Sequence, residues 1–414
     1  MSLLRGAIAV ALGSLLISST VFAADVATSS SGAPLHWETD QVAFTLAMQQ
    51  HPDTLTDSDG PAAAAAAVAA WHDSMAAYGV EVSVSPTPGV AAHHAPDGIN
   101  TIRWELTPDD PDLQVGLLGR TFTAYQTGDG VLIDTDIVFD AVDFTWSHDM
   151  SDCVQEYDLD NALTHEVGHA LGLAHSVGHP EATMFATGDA CETTKRDIAQ
   201  DDLDGLATLY APPPAADEPG GGCSTSGSTG GLPFVAIIGA AMLFARRRRV
   251  AALAVLAAIP ATASAGLLRR VDVPELDQHA ELVVRGHVTT SEVTPELETD
   301  STVVVDECLS AAVCPASIVV RRHGGERDGV GLHVDGEAEL TSGTDVVLFV
   351  RQDREHRARV VGGVQGVLRV TRDGKVLRAT RDLRGHEVKT DDGWTHGSLE
   401  TFDVAAIRQQ LRRR

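Results

Sequence analysis

Basic residues are almost missing from the first half of this 414-residue chain. Residues 25–222 hold 33 Asp and Glu against only four Lys and Arg, whereas residues 223–414 carry 25 of each sign. Nearly all of the formal charge of −28 therefore sits in one region, and two unlike modules share one chain. So few cations exclude nucleic acid as a partner of the first module, because phosphate binding rests on clustered Lys and Arg that displace counterions. An acidic module suits cationic substrates or Ca²⁺ instead. Long hydrophobic runs are also scarce. Residues 232–245 and 250–259 are largely apolar, but Arg246, Arg247, Arg248 and Arg249 stand between them. At 1.5 Å per residue the first run covers about 21 Å, short of a hydrocarbon core of about 30 Å. Each arginine at the centre of a span would cost about 2.5–3.5 kcal/mol, so the four lie at an interface and the runs make only a marginal anchor. Cysteine is sparse too: there are five, of which Cys223 stands alone in a Gly/Ser-rich stretch, leaving two pairs and one odd residue.

What is present divides the chain into stretches. Residues 1–23 combine Arg5, an apolar run over 6–17 and small residues at Val21-Phe22-Ala23, the pattern of a secretory signal peptide. The mature protein is then extracytoplasmic, secreted or at the cell surface, where disulfides are permitted. Residues 34–212 mix helix signals over 62–78, 160–173 and 198–210 with strand signals over 80–84, 100–106, 120–125 and 131–139, an α+β pattern. Residues 213–231 are a Gly/Ser/Pro linker with little to bury. In 232–265, Met242, the four arginines, the second apolar run and Ala263-Ser264-Ala265 compose a second signal-like stretch. Residues 266–414 carry short β-branched runs at 281–288, 302–305, 318–321, 330–334, 346–350 and 360–371, which predict a separate small all-β module. Its histidines stand at no recognisable ligand spacing.

One constellation carries chemistry: His165-Glu166-Val167-Gly168-His169-Ala170-Leu171-Gly172-Leu173-Ala174-His175. On a helix, His165 and His169 lie about 40° apart around the axis, so both imidazoles project from one face and can hold one ion. Glu166 points away from that pair yet reaches the fourth position of the metal. Gly172 tolerates the left-handed exit that a third ligand, His175, requires. Three neutral imidazoles leave a tetrahedral Zn²⁺ with one open position, a catalytic rather than a structural arrangement. Zinc lowers the pKa of bound water and polarises a carbonyl, and Glu166 moves the proton.

On these residues the region 34–212 resembles the matrixins, metzincin zinc endopeptidases of the matrix-metalloprotease type. The resemblance implies a twisted five-stranded sheet plus three helices, with Ala182-Thr183-Met184-Phe185 as a Met-turn that places Met184 beneath the zinc. It implies a closing helix in which Asp201 and Asp202 brace that turn. Asp134-Thr135-Asp136-Ile137-Val138-Phe139 resembles the family's edge strand, along which substrate lies by strand addition. The interval from His175 to Met184 is one residue longer than usual, which makes His179 a competing ligand. No Pro-Arg-Cys-Gly motif precedes the domain, and His93, His94 and Asp97 do not reproduce the family's structural zinc loop. Asp109, Asp110 and Asp112 are a Ca²⁺ site or a solvated acidic turn. Cys153 and Cys191 bracket the zinc helix and Met-turn and are expected to pair, as are Cys308 and Cys314. Gly220-Gly221-Gly222-Cys223, the apolar run and the arginines resemble a myxobacterial-type C-terminal sorting tail, which implies cell-envelope or membrane anchoring near 223–259.

The function expected from the sequence is therefore a secreted, cell-surface zinc metalloendopeptidase acting on protein or peptide substrates through a zinc-bound water. Two rivals stand beside it: a non-catalytic surface-binding protein with an inactive protease domain, and two secreted proteins joined in one reading frame. The intact Glu166 favours the first.

Overall fold

The computed structural model describes residues 26–212 and 270–411, apart from 49–50, 90–93, 109, 177–178, 311–312, 335, 384–386, 391–392 and 397–398. The signal-like segment 1–23, the linker, Cys223, the segment 232–265, His93 and Asp109 lie outside the described residues. Among the described residues no helix is long and apolar enough to cross a membrane.

The first region runs β1 (Gln41–Ala47), α1 (Asp59–Ala76), β2 (Glu81–Thr87), β3 (Asn100–Glu105), β4 (Gly119–Gln126), β5 (Leu132–Asp140), the short pair β6 (Trp146–Ser147) and β7 (Tyr157–Asp158), α2 (Leu159–Ala170) and α3 (Gln200–Tyr210). Its five long strands order as β2-β1-β3-β5-β4. The first four are parallel and β4 is antiparallel to β5. A parallel β1–β2 pair needs a long crossover, which α1 supplies. The alanines of α1 allow a close approach to its neighbours, and buried Trp71 donates its indole N–H to the Thr164 carbonyl at 2.8 Å, fastening α1 to α2. The segment 134–139 is therefore corrected: it lies inside the sheet as part of β5, between β3 and β4. β4 and β2 are the two edge strands among the region's own.

The C-terminal region runs α4 (Val273–His279), β8 (Leu282–Val293), β9 (Glu298–Cys308), β10 (Ser317–His323), β11 (Gly325–Arg327), β12 (Val330–Val334), β13 (Asp345–Gln352), β14 (Ala358–Val360), β15 (Val367–Asp373), β16 (Val376–Asp382), β17 (Glu387–Thr390), β18 (Gly393–His396), β19 (Leu399–Asp403) and α5 (Val404–Leu411). Its main sheet orders as β14-β10-β9-β8-β13-β15-β16-β19, and β14 also pairs with β13, closing a ring of five strands. Val284, Val288, Val303, Val346 and Leu348 fill the inside of that ring. Val283, Val347 and Phe349 alternate to the other face, where Leu276 of α4 and Ile407 of α5 cover them. This corrects the all-β expectation: strands apolar on both faces need a second cover, and two short helices provide it.

The two regions form one compact unit. The hairpin β11–β12 leaves the ring and adds to β4, so that the five-stranded sheet becomes seven-stranded, β11-β12-β4-β5-β3-β1-β2. Leu332 and Val334 of β12 share a small core with Phe122, Ala124 and Val138. Asp110 and Asp112 are corrected as well. Neither is in a solvated turn; both are fully buried, with Asp110 paired to Arg354 at 2.9 Å and Asp112 to Arg103.

Candidate active site

The local sequence explains how α2 presents its histidines. Asp158 caps the helix, its carboxylate accepting the Asp160 N–H at 3.1 Å. The helix ends where Gly172 takes φ +95°, with its N–H on the His169 carbonyl and the Leu173 N–H on that of Gly168. A Cβ at Gly172 would stand 2.2 Å from the Leu35 carbonyl oxygen, so only glycine fits there on both counts. The chain then returns and carries His175 back to the helix.

The three imidazoles meet. His165 Nε2 lies 3.0 Å from His169 Nε2 and 3.1 Å from His175 Nε2. His165 Nδ1 faces the Thr183 carbonyl at 2.7 Å, and His169 Nδ1 the Leu173 carbonyl at 2.8 Å. A carbonyl only accepts, so both Nδ1 atoms carry the proton and both Nε2 atoms present lone pairs. Converging lone pairs call for a cation. Tetrahedral zinc with bonds of about 2.0–2.1 Å sets its ligand atoms about 3.3–3.4 Å apart, close to the spacing here, so the residues fit zinc. All three side chains are buried, and burial, followed by neighbouring His169, holds His165 well below the usual imidazole pKa, in the neutral form a ligand needs.

Behind the histidines a second layer fixes them. Met184 is wholly buried, and a Cβ at Gly168 would fall 2.2 Å from its sulfur and 2.9 Å from the Trp71 ring. Asp202, near the start of α3, accepts the N–H groups of Thr183, Met184 and Ala199 at 2.9, 3.0 and 2.9 Å. The Thr183 carbonyl in turn faces His165, which links α3 to the three histidines through the turn. Asp201 accepts the Ser176 hydroxyl, just after His175. His179 stands apart from the three histidines, facing Glu181 at 3.3 Å.

Glu166 is fully buried, and its Oε2 accepts the Thr121 hydroxyl at 2.6 Å. Thr121 lies on β4, so this strand touches the glutamate directly. Sequence reading did not find Thr121; its signal is only a threonine on one face of a predicted strand. Residues 36–211 match the family model described as Matrixin. They form a matrixin-like domain. Its curated relatives include human neutrophil collagenase, 39% identical over 87 residues, which are 21% of this chain and 17% of that protein. Matrix metalloproteinase-27 of Tupaia belangeri is 33% identical over 99 residues, 24% of this chain and 17% of that protein. Interstitial collagenase of Oryctolagus cuniculus is 35% identical over 108 residues, 25% of this chain and 20% of that protein. The chain thus spans about a fifth of the length of these relatives.

Within the matrixin-like domain, a disulfide joins Cys153 to Cys191 with Cα atoms 5.6 Å apart, tying the segment before α2 to the segment after the Met184 turn. Cys308 and Cys314 form a second disulfide that closes a short loop at the end of β9. A further convergence falls where the two regions meet: His94, Asp112 and His323 bring their polar atoms together. His94 Nδ1 is 2.9 Å from Asp112, and Arg359 lies 3.2 Å from His323 Nε2. Burial and Arg359 hold His323 well below the usual imidazole range. The guanidinium groups of Arg103 and Arg359 on these partners supply positive charge where a metal would need its absence.

Proposed function

We propose that the matrixin-like domain is a zinc metalloendopeptidase that works outside the cytoplasm. One observation carries this reading: three buried imidazole Nε2 atoms converge beside Glu166, whose carboxylate is held by Thr121. His165, His169 and His175 would hold the ion. When bound, zinc supplies a Lewis acid for the scissile carbonyl and acidifies water in its open position. Glu166 accepts the proton of the attacking water and passes it to the leaving amine. The Thr121 hydroxyl fixes one carboxylate oxygen, which leaves Glu166 a defined orientation. Met184, Gly172, Asp201 and Asp202 keep the ligands in place rather than touching substrate.

The substrate class in this reading is protein or peptide, in line with relatives named as collagenases. Two disulfides support an extracytoplasmic site of action, since reducing compartments disfavour them. Export by residues 1–23 and envelope attachment near 223–259 belong to the same proposal and rest on sequence alone.

The test uses the purified full chain. The parent and Glu166→Gln should each hold one zinc, while the variant loses peptide hydrolysis by about 10²–10⁴-fold. His169→Ala should lose both metal and activity. Hydrolysis by Glu166→Gln at the parent rate would remove this glutamate from the reaction.

A further inference from the structure

To be cut at this site, a peptide backbone has to lie extended beside Glu166. The natural place for it is the free edge of a strand, where unpaired N–H and C=O groups can take up an added strand. Of the region's two own edge strands, β2 and β4, it is β4 that carries the threonine bonded to Glu166. Its edge is already filled. Val330–Val334 pairs antiparallel with the stretch from Phe122 to Gln126. Beyond one end the Thr127 N–H donates to the Gly329 carbonyl at 3.0 Å, and beyond the other Arg120 makes a buried ion pair with Glu337. The paired stretch of β4 therefore runs from Phe122 to Gln126 and ends at the residue next to Thr121. His333 stands opposite Thr123, on the face of the sheet that Thr121 shares.

We propose that the C-terminal region is a built-in inhibitor of the peptidase, acting by lending β12 to the edge where substrate would add. The inference rests on the peptidase reading of the zinc site. A structural detail makes the contact releasable. β11 and β12 are not strands of the five-stranded ring, so the hairpin lifts from β4 while that ring keeps all of its own pairings. Besides the strand pairing, the Thr127–Gly329 bond and the Arg120–Glu337 ion pair, the lift is resisted by Leu332 and Val334 on Phe122 and Ala124, by the fit of Gly331 against Tyr125, where a Cβ would come within 2.3 Å of the ring, and by Glu326, which accepts the Tyr125 hydroxyl at 2.9 Å and the Ser30 N–H at 2.8 Å. Activation then means displacing a hairpin, by cleavage within it or by a competing strand.

The experiment compares the full-length parent with Gly331→Val and Leu332→Asp, which push the hairpin off without altering the first region. Glu337→Gln is a milder change that weakens the contacts of Glu337 with Arg120 and Gln114 and serves if the others misfold. Zinc content, circular dichroism melts and hydrolysis of a fluorogenic peptide are measured on each, with Glu166→Gln added to each variant as a control. Folded, zinc-loaded variants should raise kcat/KM at least about tenfold for Gly331→Val and Leu332→Asp and about threefold for Glu337→Gln, and the control should abolish the gain. A zinc-loaded parent as fast as every folded variant would overturn the inhibitory role and leave the peptidase reading standing. No hydrolysis by any folded, zinc-loaded variant would overturn both.

Discussion

Gly172 does two jobs at one position, and neither survives a methyl group. Its φ of +95° and the 2.2 Å approach to the Leu35 carbonyl predict that Gly172→Ala loses about 1–3 kcal/mol from backbone conformation alone, with more from the contact. Because the same turn delivers His175, zinc affinity should fall with stability. Denaturant unfolding and zinc titration check this; a variant equal to the parent in both would contradict it. The spacing makes His165, His169, His175 and the need for Gly172 legible in the sequence, since a four-residue step on a helix of 3.6 residues per turn and one exit are local facts. Thr121 was not legible. It lies 45 residues from Glu166, and only the packing of β4 against α2 brings the two together.

At the scale of elements, the braced turn gives the clearest expectation. Asp202 accepts three backbone N–H groups, so Asp202→Ala leaves two buried donors and one half-buried donor without their acceptor and should cost about 2–4 kcal/mol. Double replacement of Cys153 and Cys191 by serine should cost about 3–4 kcal/mol in the chain-entropy model, read from unfolding midpoints. Strand β5 adds a pH dependence. Burial first, and then Asp136, pushes Asp134 up to about 7. A carboxyl whose folded pKa exceeds its unfolded value contributes stability below the unfolded value and loses it as pH rises toward the folded one. Buried His165 works in the opposite direction below its usual pKa, so the comparison must isolate Asp134. Asp134→Asn should gain on the parent in melting temperature between pH 5 and pH 8; a constant difference would contradict the shift. The three helices of the first region are legible to within a few residues, α1 from its run of alanines and α3 from the acids at its start. Strand β1 was missed, and the run 360–371 was read as one strand. Gly362 and Gly363, both at positive φ, break that run between β14 and β15. The position of β5 inside the sheet, rather than at its edge, depends on strand order, which local pattern does not carry.

For the whole molecule, charge arithmetic divides the chain into an acidic and a neutral part but says nothing of their contact. The acidic first region and the neutral second region meet through a shared sheet, a shared apolar cluster and the buried Arg120–Glu337 pair. Cleavage in the segment 213–262 should therefore leave the two products associated through gel filtration. Separate elution would show the contact too weak to hold them. The central claim, that His165, His169 and His175 hold a catalytic zinc, is tested most directly by zinc X-ray absorption on the purified full chain. The account predicts one zinc per chain with three imidazole nitrogens at about 2.0–2.1 Å and one lighter oxygen ligand, lost in His169→Ala. A chain that holds no zinc, or a spectrum dominated by sulfur at about 2.3 Å, would contradict it.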